Sequence, residues 1–340
     1  MEGENVEVLE YDKAYEKYMN IIPTLEKNKG WITEHLVKYQ GIWLTPKGGL
    51  KGVIMSQQLF KSKPNDIFLA TFPKSGTTWF KAIIFSIINR KLFSPNEHPL
   101  LNSSPHECVP FLELLYSNKE NLNSTLEHLQ SPRIFATHSP YPLFSQLLGS
   151  NLTTSPTVKI VYVARNPKDV LISTWEFTKK LRHEANLPLI SLQEAYDMFC
   201  QGLIHFGSYW DHVLGYYKAS LMYPKNVLFL SYETMKDDPS FWVRKLADFL
   251  DQGFTKEEEG EGLVKKILDL CSFESLSKVG ANKSGIQRFT SHVMVPSSYF
   301  FRKGVVGDWR KYLTMEMAQH LDEITKCKFE SSGLSCFRSS

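Results

Sequence analysis

The 340-residue sequence predicts a single α/β domain with a central parallel sheet flanked by helices on both faces. Residues 159–164 and 227–231 are nearly continuous runs of apolar β-formers, which is typical of strands buried on both faces of a parallel sheet. Residues 66–85 contain an apolar run, a short polar turn and then apolar residues at helical spacing, which predicts strand, turn and helix. Residues 159–167 repeat the order of strand, turn and helix, because the apolar run is followed by Pro167, which favours the first position of a helix.

Composition excludes several classes of protein. A hydrophobic fraction of 42% with 22% charged residues is ordinary for a soluble protein, and a net charge of +3 does not by itself imply nucleic-acid or membrane binding. The five cysteines are widely spaced, which indicates free thiols in a reducing compartment. The N-terminus lacks a signal peptide's apolar core, and no apolar run approaches the roughly 20 residues that span a bilayer. The sequence therefore predicts a cytoplasmic protein with no membrane and no nucleic-acid partner.

The chain order predicts an extension followed by the main domain. Residues 1–64 form an N-terminal extension packed on the core, helical near residues 11–18 and irregular or a small ribbon from 30 to 58. Residues 65–340 form the main domain. Within it, residues 94–132 are an ordered lid, residues 191–217 an amphipathic helix, and residues 279–300 a loop rich in Gly, Ser and Asn.

The turn after the first core strand is a candidate anion site. Its sequence, Pro-Lys-Ser-Gly-Thr-Thr-Trp at 73–79, offers free backbone N–H groups, a helix N-terminus and the charge of Lys74. The hydroxyls of Thr77 and Thr78 can donate to phosphate oxygens. It differs from the common Gly-x-x-x-x-Gly-Lys-Ser/Thr loop because the lysine precedes the only glycine. The alternative is a strand-to-helix connection capped by one of the threonines, with a solvated lysine.

Three further positions carry candidate chemistry. His138 follows an apolar run at a strand end, where open parallel sheets place functional groups, although a lone histidine is more often structural. Arg165 ends another strand and presents a planar fork for a phosphate, with an ion pair to Asp169 as the alternative. Arg302 and Lys303 precede Gly304, which places two cations beside a permissive backbone; composition alone makes them a surface pair.

The segment 73–79 and the string Arg-Lys-Gly-x-x-Gly-Asp-Trp at 302–309 resemble the cytosolic sulfotransferases. These enzymes use 3′-phosphoadenosine-5′-phosphosulfate (PAPS) as sulfuryl donor. The resemblance covers roughly residues 65–340. The plant branch is indicated by Thr-Phe-Pro-Lys at 71–74, by the segment Ser-Pro-His-Glu-Cys-Val-Pro-Phe-Leu-Glu at 104–113 and by the long N-terminal extension.

The resemblance implies a role for each motif residue. His138 is the general base. Lys74 lies in a P-loop-like phosphosulfate-binding strand-turn-helix and neutralises the bridging oxygen of the donor as the bond to sulfur breaks. The phosphosulfate loop comprises Lys74, Ser75, Gly76, Thr77, Thr78 and Trp79. The residues around the 3′-phosphate are Arg165, Ser173, Arg302, Lys303 and Gly304. The adenine contacts are Trp79, Tyr232, Phe273 and Phe301. Phe111, Phe177 and His138 are the candidate acceptor contacts, with plain core packing as the alternative for Phe111. Two departures from the family pattern are Ala136, where some animal members have lysine, and Cys271, where the adenine-contacting motif has threonine.

The leading hypothesis is a PAPS-dependent sulfotransferase that needs no metal and acts on a small hydroxylated acceptor, with a flavonol or another phenol favoured. Steroids, hydroxyjasmonate and desulfoglucosinolates are alternative acceptors. A nucleoside-triphosphate-dependent kinase is the second enzyme class, and a non-enzymatic nucleotide-binding module is the third hypothesis. The animal dimerisation segment has the pattern Lys-x-x-x-Thr-Val-x-x-x-Glu. In residues 310–319 the Lys, Val and Glu of this pattern are all replaced, so a monomer is favoured over a dimer.

Overall fold

The computed structural model describes residues 2–94, 96–149, 157–288 and 294–334. The N-terminal segment begins with helix α1 (Glu2–Ile21) and continues into an antiparallel ribbon of β1 (Lys27–Lys29), β2 (His35–Tyr39) and β3 (Ile42–Leu44). A helix that the sequence did not predict, α2 (Lys51–Leu59), follows the ribbon and buries five consecutive residues, 52–56. The small ribbon is confirmed, and the expectation of irregular structure up to residue 58 is wrong.

A parallel sheet of four strands forms the centre of the molecule. Its strands are β4 (Ile67–Thr71), β5 (Ile134–Thr137), β6 (Lys159–Ala164) and β7 (Val227–Ser231), in the spatial order β5-β4-β6-β7. In β4, Phe68 and Ala70 pack into one hydrophobic core, whereas Ile67 and Leu69 pack into another. Both faces of the sheet are therefore buried, and the predicted α/β fold with a doubly covered parallel sheet is confirmed.

Helices cover the two faces and connect the strands. Their bounds are α3 (Thr77–Asn89), α4 (Pro105–Cys108), α5 (Leu112–Ser117), α6 (Leu122–His128), α7 (Tyr141–Leu148), α8 (Pro167–Glu184), α9 (Leu192–Cys200), α10 (Tyr209–Met222), α11 (Tyr232–Asp237), α12 (Pro239–Phe249), α13 (Lys256–Gly260), α14 (Leu263–Leu270), α15 (Phe273–Lys278), α16 (Gly280–Lys283) and α17 (Met315–Phe329). The single helix predicted over 191–217 is wrong: α9 and α10 replace it. Gly202 (φ 70°) and Gly207 (φ 83°) adopt left-handed backbone conformations between them, which a continuous right-handed helix excludes.

The segment 94–132 packs against the edge of the sheet. Phe111 forms a parallel bridge with Ala136 of β5, and the Ala136 N–H donates to the carbonyl of Pro110 at 2.9 Å. The helix α5 then packs against α2, where a Cβ on Gly52 would lie 2.1 Å from the carbonyl oxygen of Glu113. The segment 94–132 is thus held between the sheet and the N-terminal part of the chain.

In the predicted loop 279–300, residues 289–293 lie outside the described residues. The remainder contains α16 and a short antiparallel pair, β8 (Ile286–Arg288) and β9 (Met294–Pro296).

All four sheet strands lead into predicted site residues at their carboxyl ends. β4 precedes the turn 72–76, β5 precedes His138, β6 precedes Arg165, and β7 precedes Tyr232. Because the strands are parallel, these residues meet at one edge of the sheet, which is where open α/β sheets bind ligands.

Candidate nucleotide and catalytic site

The turn between β4 and α3 is shaped by two left-handed residues. Lys74 has a φ of 69° and Gly76 a φ of 102°. A Cβ on Gly76 would lie 2.6 Å from Cδ2 of Tyr232, so only glycine fits between the loop and that ring. The Ser75 hydroxyl is buried without a hydrogen-bond partner among the described residues. Helix α3 begins at Thr77, and its first N–H groups have no partner within the helix.

Lys74 lies where several cations converge. Its Nζ is 3.9 Å from the ring centre of Phe177, and Arg165 donates to the Lys74 carbonyl at 3.1 Å. Burial, followed by the charges of Arg165 and Arg302, lowers the pKa of the Lys74 ammonium to about 7. Arg165 also donates to the carbonyl of Val305, so hydrogen bonds of Arg165 bring three distant parts of the sequence together, and an anion bound here would relieve the repulsion between their cations.

Arg165 is buried and anchors the segment 302–309. Its Nη2 donates to the carbonyl of Val305 at 2.9 Å and lies 3.8 Å from the carboxylate of Asp169, so the predicted alternative ion pair does exist. Its Nε has no partner within the described part of the chain. Asp169 also accepts from the backbone N–H groups of Gly307 (2.7 Å) and Trp309 (3.2 Å). Asp169 therefore fixes the segment 302–309 against α8, the helix that also carries the buried Ser173.

Arg302 and Lys303 share one buried carboxylate. Arg302 contacts Asp308 at 2.5 Å and Lys303 contacts it at 2.8 Å. Burial opposes ionisation of Asp308, but the hydrogen bonds from Lys303 and Arg302 outweigh it and lower the pKa of the carboxyl group. The two cations are thus part of an ordered ion-pair network. Lys303 is exposed and Arg302 is partly buried, so the pair does lie at the surface, where Asp308 holds it in place.

Aromatic rings form a wall beside the loop. Trp79 and Tyr232 have ring centres 5.6 Å apart, and Phe273 and Phe301 have ring centres 6.1 Å apart. Gly304 (φ 66°) joins the two pairs: its carbonyl accepts from the Tyr232 hydroxyl at 3.2 Å, and a Cβ on it would lie 2.7 Å from Phe273. All four predicted adenine contacts therefore lie close to Gly304 or Gly76. In contrast, Cys271 is fully buried, with its sulfur 3.4 Å from the Ser86 hydroxyl.

His138 has a defined tautomer. Its Nδ1 lies 2.7 Å from the Thr71 carbonyl oxygen, and because a carbonyl only accepts, Nδ1 carries the proton and Nε2 carries the lone pair. The imidazole packs against Phe111 at 4.6 Å and Phe206 at 5.6 Å between ring centres. Burial is the main cause that lowers the pKa of His138 to about 3, against the opposing hydrogen bond to Thr71. At neutral pH the ring is uncharged and able to accept a proton.

A second polar cluster at the site was not predicted from the sequence. Lys81 is fully buried; its Nζ donates to the carbonyl of Val109 at 2.7 Å and lies 3.2 Å from Nδ1 of His106. The Nε2 of His106 lies 3.1 Å from the hydroxyl of Thr78. Burial lowers the pKa of Lys81 well below its usual value, although the charge of Glu113 opposes this. A lysine within the apolar stretch 79–85 was the one sequence signal for this cluster.

Aromatic side chains pack around His106 and Lys74. The Phe300 ring centre lies 4.3 Å from that of His106 and 5.6 Å from that of Phe177, and the latter ring lies below Lys74. Two grooves, of about 520 Å³ along α1 and about 230 Å³ at the opposite end of β4, contain none of the predicted site residues. Phe111 thus packs against His138, and Phe177 and Phe300 pack against Lys74.

Comparisons with known proteins identify the family. A family model described as the sulfotransferase domain matches residues 64–333. Cytosolic sulfotransferase 17 of Arabidopsis thaliana is 41% identical over 326 residues, covering 95% of this chain and 91% of the relative. Flavonol 3-sulfotransferase of Flaveria bidentis is 43% identical over 300 residues, covering 88% and 92%. A mouse sulfotransferase complexed with PAP (3′,5′-adenosine bisphosphate) superposes with a TM-score of 0.64 at 26% identity, covering 87% of this chain and 95% of that structure.

The chain therefore belongs to the sulfotransferase family and is an enzyme of that class. Within the family it belongs with the plant cytosolic sulfotransferases, as the resemblance implied.

None of the described helices is both long enough and apolar enough to cross a membrane. Across the residues that the structure describes, no group of three or more His, Cys, Asp or Glu side chains has an arrangement that could hold a metal ion.

Proposed function

We propose that the protein transfers a sulfuryl group from PAPS to a hydroxyl of a small acceptor, with a flavonol or another phenol as the favoured class. The observation that carries the proposal is the convergence of Lys74, Arg165 and Arg302 at the carboxyl edge of the sheet, beside the neutral imidazole of His138. The mouse relative's complex with PAP supports the same donor here.

The residues present fit a doubly phosphorylated adenosine. The unpartnered Ser75 hydroxyl and the first turn of α3 suit the 5′-phosphosulfate, together with Lys74, Gly76, Thr77 and Thr78. The unpartnered Nε of Arg165 suits the 3′-phosphate, with Ser173, Arg302, Lys303 and Gly304 around it. ATP has no 3′-phosphate, so this second set of cations favours PAPS over ATP. Trp79, Tyr232, Phe273 and Phe301 offer ring faces for adenine.

Two side chains carry the chemistry. His138 accepts the proton of the acceptor hydroxyl at Nε2, because Nδ1 is committed to the Thr71 carbonyl. Lys74 neutralises negative charge on the leaving bridging oxygen as the bond to sulfur breaks. The transfer is in line, and the protein accelerates it mainly by positioning and electrostatics, as in phosphoryl transfer.

The rings around the base support a flat acceptor. Phe111 and Phe206 contact His138, while Phe177 contacts Lys74, so an acceptor hydroxyl between base and donor would be flanked by aromatic faces. The flavonol-sulfating relative supports the same class. Residues 94–132, which supply Phe111, act as the acceptor-side lid. A labelled-donor assay with flavonols, simple phenols, steroids, hydroxyjasmonate and desulfoglucosinolates tests this choice, and exclusive turnover of a non-aromatic acceptor would overturn it.

The decisive experiment combines calorimetry and turnover. We expect the wild-type protein to bind 3′,5′-adenosine bisphosphate without magnesium, and His138→Ala to bind it within about twofold while losing at least about 100-fold in turnover. His183→Ala is the control, since His183 is exposed at the end of α8 and should leave both quantities unchanged. Unchanged turnover in His138→Ala refutes the base assignment. Magnesium-dependent ATP binding without bisphosphate binding refutes the donor and favours a kinase.

The protein is further proposed to be a cytoplasmic monomer of 39.2 kDa. The naming of its relatives as cytosolic supports the first part, and residues 310–319 support the second. A solution mass of twice this value by size-exclusion chromatography with light scattering would overturn the monomer.

A further inference from the structure

A chain of three polar side chains runs from the core to the phosphosulfate loop without involving His138. Lys81 Nζ lies 3.2 Å from His106 Nδ1, and His106 Nε2 lies 3.1 Å from Thr78 Oγ1. Both ring nitrogens of His106 are thereby committed. The imidazole is held by Phe300 on one side, at 4.3 Å between ring centres, and by Phe111, stacked at 5.6 Å.

The direction of these hydrogen bonds follows from the surroundings of Lys81. Its Nζ lies against two groups that can only accept, the Val109 carbonyl at 2.7 Å and the Phe111 ring face at 3.4 Å, and beside Nδ1 of His106 at 3.2 Å. Burial lowers the pKa of Lys81, but the Val109 carbonyl, the Phe111 ring face and the charge of Glu113 favour the ammonium, which has three N–H donors and no lone pair. Nδ1 of His106 then accepts, and Nε2 must carry the ring proton and donate it to Thr78.

Thr78 is the second residue of α3, the helix that follows the turn 72–76. Because its hydroxyl oxygen accepts from His106, its own hydrogen points away from His106 and is available to another acceptor. A hydroxyl that accepts from a cation-linked imidazole is also polarised and donates more strongly.

We propose that His106 is a positioning residue that fixes the Thr78 hydroxyl as a hydrogen-bond donor to the 5′-phosphate group of the sulfuryl donor. Lys81 sets the tautomer of His106 and so sets the direction of the whole chain. The inference rests on the proposed function, since it assigns a further contact to the same nucleotide site.

Three substitutions of His106 separate positioning from simple packing. Glutamine places its amide nitrogen where imidazole Nε2 lies, so His106→Gln keeps the donor to Thr78. Asparagine places its amide group near Nδ1, so His106→Asn keeps a partner for Lys81 but loses Thr78. Phenylalanine keeps the ring packing and loses both hydrogen bonds.

The measurement is calorimetric affinity for 3′,5′-adenosine bisphosphate and for adenosine 3′-monophosphate, which lacks the 5′-phosphate. We expect His106→Asn and His106→Phe to weaken bisphosphate binding about tenfold, the usual effect of losing a hydrogen bond to a charged group, and His106→Gln to stay within about threefold of wild type. Binding of the 3′-monophosphate should change less than about twofold in all three. Urea denaturation of each variant checks that it is folded.

A double-mutant cycle with Thr78→Val isolates the interaction. In the Thr78→Val background, His106→Phe should have no further effect on bisphosphate binding. Equal affinity of wild type and His106→Phe for the bisphosphate overturns the inference. The inference also fails if His106→Asn keeps the wild-type affinity and His106→Gln loses it. Equal losses for both ligands also overturn it, because they indicate a structural role. Absence of bisphosphate binding in the wild type overturns the proposed function itself, and with it this inference.

Discussion

Proton uptake at Lys74 on nucleotide binding is the sharpest test of the site's electrostatics. Burial and the neighbouring Arg165 and Arg302 lower the pKa of Lys74 to about 7 in the unliganded protein. An anion beside Nζ favours the ammonium, so binding must raise this pKa and take up a proton. The perturbation is a change of pH from 7 to 8, where the ligand's phosphates are already largely ionised.

The size of the effect follows from the titration. With a pKa of about 7, roughly half of the Lys74 side chains are charged at pH 7 and about a tenth at pH 8. Affinity for 3′,5′-adenosine bisphosphate should therefore fall about fivefold over this unit, and proton uptake should rise from about 0.5 to about 0.9 per ligand. Calorimetry in buffers of different ionisation enthalpy measures both quantities.

Lys74→Arg is the matched control, because a guanidinium stays charged throughout this range. The slope of affinity against pH and the proton uptake should both disappear in this variant, whatever its absolute affinity. Flat wild-type binding between pH 7 and 8 without proton uptake would refute the reasoning, since Lys74 would then be charged before the ligand arrives.

Three further predictions concern stability. Gly76→Ala should lower the free energy of unfolding by at least about 1 kcal/mol in urea denaturation and weaken bisphosphate binding, because residue 76 is left-handed and its new Cβ meets Tyr232. The control Gly260→Ala has open space around it and should cost nothing. Equal effects of the two substitutions would contradict the packing argument. Asp66→Asn should lower the free energy of unfolding by about 3–5 kcal/mol, because it breaks the buried bidentate pair with Arg133. Asp251→Asn removes the exposed partner of Lys159 and should cost under about 1 kcal/mol. Similar losses in the two variants would contradict this prediction. Acid should unfold the protein early, because burial holds the pKa values of five histidines below 6.5 and the unfolded chain binds more protons, so stability falls as pH drops from 6.5 towards 4. A loss of about 6 kcal/mol between pH 7 and 5.5 in urea titrations is expected, and constant stability would contradict it. These histidines are His98, His205 and His212, each with a pKa of about 4, His138, with a pKa of about 3, and His106, whose pKa lies well below its usual value.

The parts of the fold that were predictable are those with strong local signals. The strand β4, the turn and α3 form one unit in which an apolar run, a glycine at left-handed φ and a helical apolar face agree. The helix α2 was missed because Gly48, Gly49 and Gly52 disfavour helix locally. Its burial against α1 and α5 compensates, and such tertiary packing cannot be inferred from a short window.

The same contrast applies to the site. Predicted residues such as Lys74, His138 and Arg165 stand at strand ends, where topology alone brings them together. The contact from His106 to Lys81 spans 25 residues, and it depends on how the segment 94–132 folds back over α3. The buried carboxylate of Asp308 between Arg302 and Lys303 likewise follows from a chain reversal that charge patterning does not encode.

The contact between Gly52 and the Glu113 carbonyl has a practical consequence for anyone shortening this protein. The Glu113 carboxylate accepts hydrogen bonds from the backbone N–H (3.0 Å) and the hydroxyl (2.7 Å) of Ser139, the residue that follows His138. A fragment trimmed to the family boundary at residue 64 would strip away α2 and leave α5 without its support. Expression clones intended for assays should consequently retain the first sixty residues, even though the residues of the candidate site all lie downstream.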